Sequence, residues 1–259
     1  MDPLSLPSPA LFELGPGALA LVAATFFLAG LVKGVTGMGL PTVAMGLLGA
    51  FLSPLAAAGL LLVPSLITNL WQLAAGPHFG ALARRLWPMM LAISVGTLFG
   101  STLLTGGDAG FSTGALGLTL ALYAGAALLL PPFRLAPRWE PVASPLAGLL
   151  TGLVTGATGV FVLPAVPFLQ SLDLSRDDLV QALGLSFTVS TLALGAGLLW
   201  HGGLAGGDML GSALAVLPAV AGLVAGQLIR TRIAPPLFRK VFLIGLLVLG
   251  LEMAARPLL

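Results

Sequence analysis

The stretch GLVKGVTGMGLPTV, Gly30 to Val43, decides how this chain is read. One lysine stands there among four glycines, two threonines and a proline, with apolar sequence before and after. A lone charge and a glycine-broken backbone are both costly in hydrocarbon. The stretch is therefore either a loop in water or the working part of a membrane protein. Composition chooses between them. Hydrophobic residues make up 58% of the 259-residue chain and charged residues only 8%, and the mean hydropathy is +1.07. A soluble domain carries about 25% charged residues. This chain cannot cover its surface with charge, so it is read as a bilayer protein. The opening MDPLSLPSPALFELGPG holds Asp2 and Glu13 but no Lys or Arg. A secretory signal would begin with positive charge, so the first apolar run is expected to be retained.

Working outward, the quoted stretch recurs. Residues 28–43 resemble residues 146–164, with Gly30 and Gly34 aligned on Gly148 and Gly152. Thr36-Gly37 falls on Thr155-Gly156 after a one-residue slip, and GTLFG (96–100) matches GLVAG (222–226). The proline-rich PPFRLAPRWEP, 131–141, separates the copies. The expected organisation is an extracytoplasmic tail at 1–16, a first repeat at 17–130, a cytoplasmic linker at 131–142 and a second repeat at 143–259. Apolar segments in the first repeat cover about 17–36, 40–52, 55–75, 86–105 and 109–130. Those in the second cover about 143–157, 160–170, 178–200, 208–229 and 236–255. Spanning takes roughly 20 helical residues, so 40–52 and 160–170 read as half-helices.

Charge chooses the topology. Basic residues cluster at Arg84 and Arg85, at Arg134 and Arg138, and at Arg230, Arg232, Arg239 and Lys240. If each short segment completes a crossing, each repeat crosses five times and the second is inverted. All three clusters then fall on one side, as the positive-inside rule requires. If the short segments turn back, the last cluster faces outside. The expected fold is thus an all-α polytopic membrane protein of two inverted repeats. Each has four long segments and one short half-helix, and the Gly-broken helices meet near the bilayer midplane.

Paired, Gly-interrupted segments in the two halves point to a transporter binding site. A broken helix frees backbone N–H groups, and a half-helix N-terminus attracts an anion. The candidate substrate-binding residues are Lys33, Thr36, Gly37, Gly39, Thr155, Gly156 and Gly159 at the breaks. Asn69 and Gln72 join them from one following segment, and Ser186 and Ser190 from its counterpart, where polar residues recur at helical spacing. Plainer readings stand beside these. Small residues four apart let helices pack closely, polar side chains hold helices together, and Lys33 can snorkel to an interface.

The remaining chemistry is mostly excluded. With no cysteine there is no disulfide framework and no thiolate metal site, and the two histidines, His78 and His201, lie in loops. No carboxylate lies mid-span, which argues against a cation and toward an anion. No GxSxG or HExxH occurs, so no enzyme, metal or cofactor is expected. The net charge of +2 gives no ground for a nucleic-acid partner. The expected partners are a small anion and membrane lipid, with a homodimer as a candidate assembly. Sequence does not distinguish a carrier from a passive anion channel.

On GLVKGVTGMGLPTV and GLLTGLVTGATGVFVLP, each with glycines before a proline, the chain resembles the sulfite exporter TauE/SafE family of membrane proteins. The usual triple glycine is reduced to Gly37-Met38-Gly39 and to Gly156-Ala157-Thr158-Gly159. The resemblance covers about 17–255. It implies a bacterial inner-membrane transporter of small sulfur-containing anions such as sulfite, sulfoacetate or taurine. Carriage of non-sulfur carboxylates is the alternative substrate class.

Overall fold

The computed structural model describes residues 15–131, 133–204, 206–230 and 235–258. The expected tail, 1–16, and Arg232 lie almost wholly outside them. Ten α-helices follow in order among the described residues. They are α1 Gly15–Thr36, α2 Leu40–Gly49, α3 Pro54–Ala74, α4 Phe79–Gly106 and α5 Ala109–Leu129. The second set is α6 Glu140–Thr158, α7 Ala165–Ser171, α8 Arg176–Trp200, α9 Gly206–Ile229 and α10 Pro235–Ala255. Seven of them, α1, α3, α4, α5, α6, α8 and α9, are long and apolar enough to cross a membrane. The protein is an all-α polytopic membrane protein, as composition required. The two short helices fall where the sequence placed them, α2 with 10 residues and α7 with 7.

Helix ends follow local chemistry. Ser53 and Ser175 cap α3 and α8, their side chains accepting from the N–H groups of Ala56 and Asp178. Asp108 caps α5 in the same way. Pro64, inside α3, has no N–H, which strands the carbonyl of Leu60. In hydrocarbon that carbonyl needs a donor. The Ser212 hydroxyl of α9 supplies it at 2.8 Å, and accepts from the Val63 N–H at 3.0 Å.

Small residues set the helix pairs. Gly30 and Gly34 of α1 lie against Ala219 and Leu223 of α9, and Gly222 and Gly226 return the contact onto Phe27 and Leu31. Numbers rise together, so α1 and α9 are parallel. Gly148, Gly152 and Gly156 of α6 lie likewise on Met89, Ile93 and Thr97 of α4, again in parallel. Two other pairs run the opposite way. Ser65 meets Thr191 while Gln72 meets Val180, so α3 and α8 are antiparallel. Gly117 lies against Gly250 and Ala254, and Ala121 against Gly250, which makes α5 and α10 antiparallel too.

These directions carry the symmetry. The pair α1/α9 corresponds to α6/α4, while α3/α8 and α5/α10 each pair a helix with its own counterpart. Counterparts related by an axis along the membrane normal would run parallel. They run antiparallel, so the repeats are inverted about an axis in the membrane plane. Arg85 bonds Glu140 through both carboxylate oxygens, at 2.6 and 2.7 Å, joining the start of α4 to the start of α6. The described basic clusters thereby share one end of the bundle.

A Cβ on Gly30 would sit 2.0 Å from the carbonyl oxygen of Ala219, whereas one on Gly125 would meet nothing within 4 Å. Gly30→Ala should therefore push α1 from α9 and cost about 1–3 kcal/mol, the usual range for overpacking. Gly125→Ala should leave stability unchanged or raise it by up to about 1 kcal/mol, since alanine favours a helix interior over glycine. Melting of both purified variants in one detergent checks the contrast.

Candidate functional site

Lys33 lies in the last turn of α1 and is 3% exposed. Its amine does not snorkel outward; it turns onto α3. There Nζ donates to Thr68 Oγ1 at 3.2 Å and to Asn69 Oδ1. The Asn69 orientation is fixed by its other end, which donates to Ser65 Oγ at 3.1 Å and to Thr191 Oγ1 of α8 at 3.3 Å. Ser65 and Thr191 also bond each other at 3.3 Å. A buried polar chain thus runs from the α1 amine through the α3 stripe to α8. Two acceptors reach the amine. Among the described residues no carboxylate pairs with it.

Two hydroxyls named from sequence add free capacity. Ser186 Oγ and Ser190 Oγ on α8 are fully buried and have no hydrogen-bond partner among the described residues. Gln72 donates from Nε2 to the carbonyls of Gly37 at 3.1 Å and Val180 at 3.0 Å, while its Oε1 is buried and has no partner among the described residues. Both donor contacts go to acceptors, so neighbours fix the amide orientation. Asn69, Gln72, Ser186, Ser190 and Lys33 thus all belong to the interior where α3 crosses α8.

The breaks flank that crossing. Gly37 has φ +80° and Gly39 φ +106°, conformations that glycine adopts without a Cβ clash. Gly37 faces open space, since a Cβ there would meet no atom within 4 Å. Gly159, with φ +72°, closes the second break, and a Cβ there would lie 3.0 Å from Met45 Sδ and 3.5 Å from Ala58. On α3, then, the first break is beside Gln72, the second beside Ala58, and Ser65 lies between. Each is about 10 Å of helix from Ser65.

Other named residues are occupied within the chain. The Thr36 hydroxyl lies 2.8 Å from the Val32 carbonyl and 2.6 Å from that of Met38, and accepts from the Met38 N–H. It stitches the break. Thr158 does the same in the second half, against Val154 O and Val160 N. Thr155 and Gly156 lie a turn earlier. Thr155 Oγ1 bonds Thr151 O at 2.7 Å, and Gly156 packs on Thr97 and Ser101 of α4. By place in the break, Thr158-Gly159 is the counterpart of Thr36-Gly37.

Thr68 and Thr191 complete the chain and stand outside the set named from sequence. Their signal was there: Ser65, Thr68 and Asn69 recur at three- and four-residue spacing. His78 lies at the basic end, its Nδ1 2.8 Å from Asp178 Oδ1, and His201 lies in an exposed turn. Neither joins the interior. No cluster of three or more His, Cys, Asp or Glu that could hold a metal occurs among the described residues.

Inverted repeats and paired helix breaks are the architecture of a membrane transporter. The family model for the sulfite exporter TauE/SafE matches residues 22–253, and the chain belongs to that family. It is a transporter family. No curated protein and no solved structure matches the chain.

Asn69→Ala should strip Lys33 of an acceptor and lower stability by about 1.5–3 kcal/mol, the range for a hydrogen bond to a charged group. Lys33→Met removes the charge as well, so Lys33→Met/Asn69→Ala should lose less than the sum of the two single changes. Equilibrium unfolding of the four proteins completes the cycle.

Proposed function

We propose that this protein is a secondary transporter that moves small sulfur-containing anions, sulfite, sulfoacetate or related organosulfonates, by alternating access. Its place is the bacterial inner membrane, and its direction is export. The observation that carries the reading is the buried amine of Lys33, held among the described residues by the neutral Thr68 and Asn69. A buried charge without a counter-charge is costly, and a visiting anion supplies one.

An oxyanion placed there takes the third N–H of Lys33 and hydrogen bonds from the Ser186 and Ser190 hydroxyls. A hydroxyl rotates to suit a donor or an acceptor, so both serve any oxygen of the guest. The open side of Gly37 gives the guest backbone approach from the first break. Thr36 and Gly39 shape the first break and Gly159 the second, while Thr155 and Gly156 pack a turn before it. The N-terminus of α2 adds a favourable partial charge. The repeats, 17–130 and 143–259, are joined by a cytoplasmic linker at 131–142. The basic end faces the cytoplasm, as the positive-inside rule directs.

The test is anion binding followed by flux. Sulfite or sulfoacetate should raise the melting temperature of the purified protein, and Lys33→Met should abolish that shift while the protein still folds. Asn69→Asp supplies an internal carboxylate. It should stabilise the ligand-free protein and also abolish the shift. Unchanged affinity in Lys33→Met would remove the amine from the site. In proteoliposomes flux should saturate with anion concentration; a rise without saturation would mark a channel instead.

A further inference from the structure

A cavity of about 230 Å³ lies at the basic end, away from the α3/α8 crossing. Its walls come from Tyr123 of α5, Leu130 and Phe133 beyond it, Leu163 and Gln170 about α7, and Arg239 of α10. Tyr123 is buried, whereas Leu130, Phe133 and Arg239 are exposed. Among the described residues no carboxylate pairs with Arg239. The cavity therefore sets a guanidinium, without a carboxylate partner among the described residues, against mainly apolar walls with Gln170 and Tyr123 as the polar exceptions, at the end where basic residues gather.

We propose that this cavity binds the headgroup of an anionic membrane lipid, with its phosphate on Arg239 and the adjoining carbons along Leu130, Phe133 and Leu163. Arg presents a planar fork that matches phosphate geometry. Basic pockets between membrane helices on the cytoplasmic side suit lipid phosphates. The apolar walls choose the source. A free inorganic anion would leave water for surfaces that offer it nothing, whereas a lipid brings apolar carbons beside its charge. The bound lipid would also bear on the transport machinery. Tyr123 forms part of the wall, and its hydroxyl reaches Met38 Sδ in the first break at 3.6 Å. The proposal does not depend on the anion at Lys33.

Native mass spectrometry of the full chain, released from mixed micelles of phosphatidylglycerol and phosphatidylcholine with matched acyl chains, tests it. Phosphatidylglycerol should be retained about fivefold over phosphatidylcholine, the effect of one basic residue near the charged lipid. Arg239→Gln should erase that preference and Arg239→Lys should keep part of it. Ala126→Phe, which fills the cavity with Arg239 intact, should lower retention of both lipids. Excess inorganic phosphate should displace neither. Equal retention of the two lipids by the unaltered protein, or a preference that survives Arg239→Gln, overturns the proposal. Displacement of phosphatidylglycerol by inorganic phosphate also overturns it, since the site would then take a free anion. Size exclusion and melting of each variant confirm that it is folded, and Ala126→Phe carries the test alone if Arg239→Gln does not fold.

Discussion

The Lys33 amine, held inside the bundle by Thr68 and Asn69, is the contact from which the rest of the interior follows. An ammonium there demands acceptors, and the acceptors demand partners of their own. Asn69 is held by Ser65 and Thr191, so one charge on α1 organises the crossing of α3 with α8. Thr68 in turn leans on the Pro64 carbonyl at 2.8 Å. The same rule, that no polar group is left idle in oil, places Ser212 beside Pro64 and Thr36 and Thr158 at the breaks. What it leaves unspent is informative. Ser186, Ser190 and one oxygen of Gln72 have no partner among the described residues.

Much of the fold was legible. The half-helices at 40–52 and 160–170 appeared as α2 and α7 because proline and glycine punctuate them within apolar sequence. The inversion was legible from charge, since only one path gathers the basic loops at one end. Less of the interior could be read. Gly30, Gly34, Gly148 and Gly152 fit either helix packing or ligand approach, and the structure spends all four on close helix contacts. The direction of Lys33 was open because it stands a single turn from a helix end, where a long side chain can point in or out. The slip that set Thr155-Gly156 opposite Thr36-Gly37 arose because α6 runs a turn further before its left-handed glycine. The Ser212–Leu60 bond joins residues 152 apart, and no local spacing announces it.

Duplication has not made the halves chemically equal. Lys33 and Thr151 share an offset with the glycines beside them, yet only one carries charge. Asn69 likewise corresponds to Ser190. The first half holds a bonded pair where the second holds two hydroxyl residues, with Thr151 satisfied by the Ala147 carbonyl and Ser190 by nothing. A symmetric scaffold thus encloses a lopsided interior. The amine comes from one side and the hydroxyls from the other.

The helix pairs also cut across the order of the chain. α9 from the second repeat is fastened to α1 and α3 of the first, while α4 from the first is fastened to α6 and α8 of the second. Pulling α9 from α3 would strand the Leu60 carbonyl that Ser212 now serves. Each repeat has therefore lent one helix to the other, and the packed groups are mixed trios, α1–α3–α9 and α6–α8–α4. Severing the chain at its proline-rich linker would leave the two repeats interlocked.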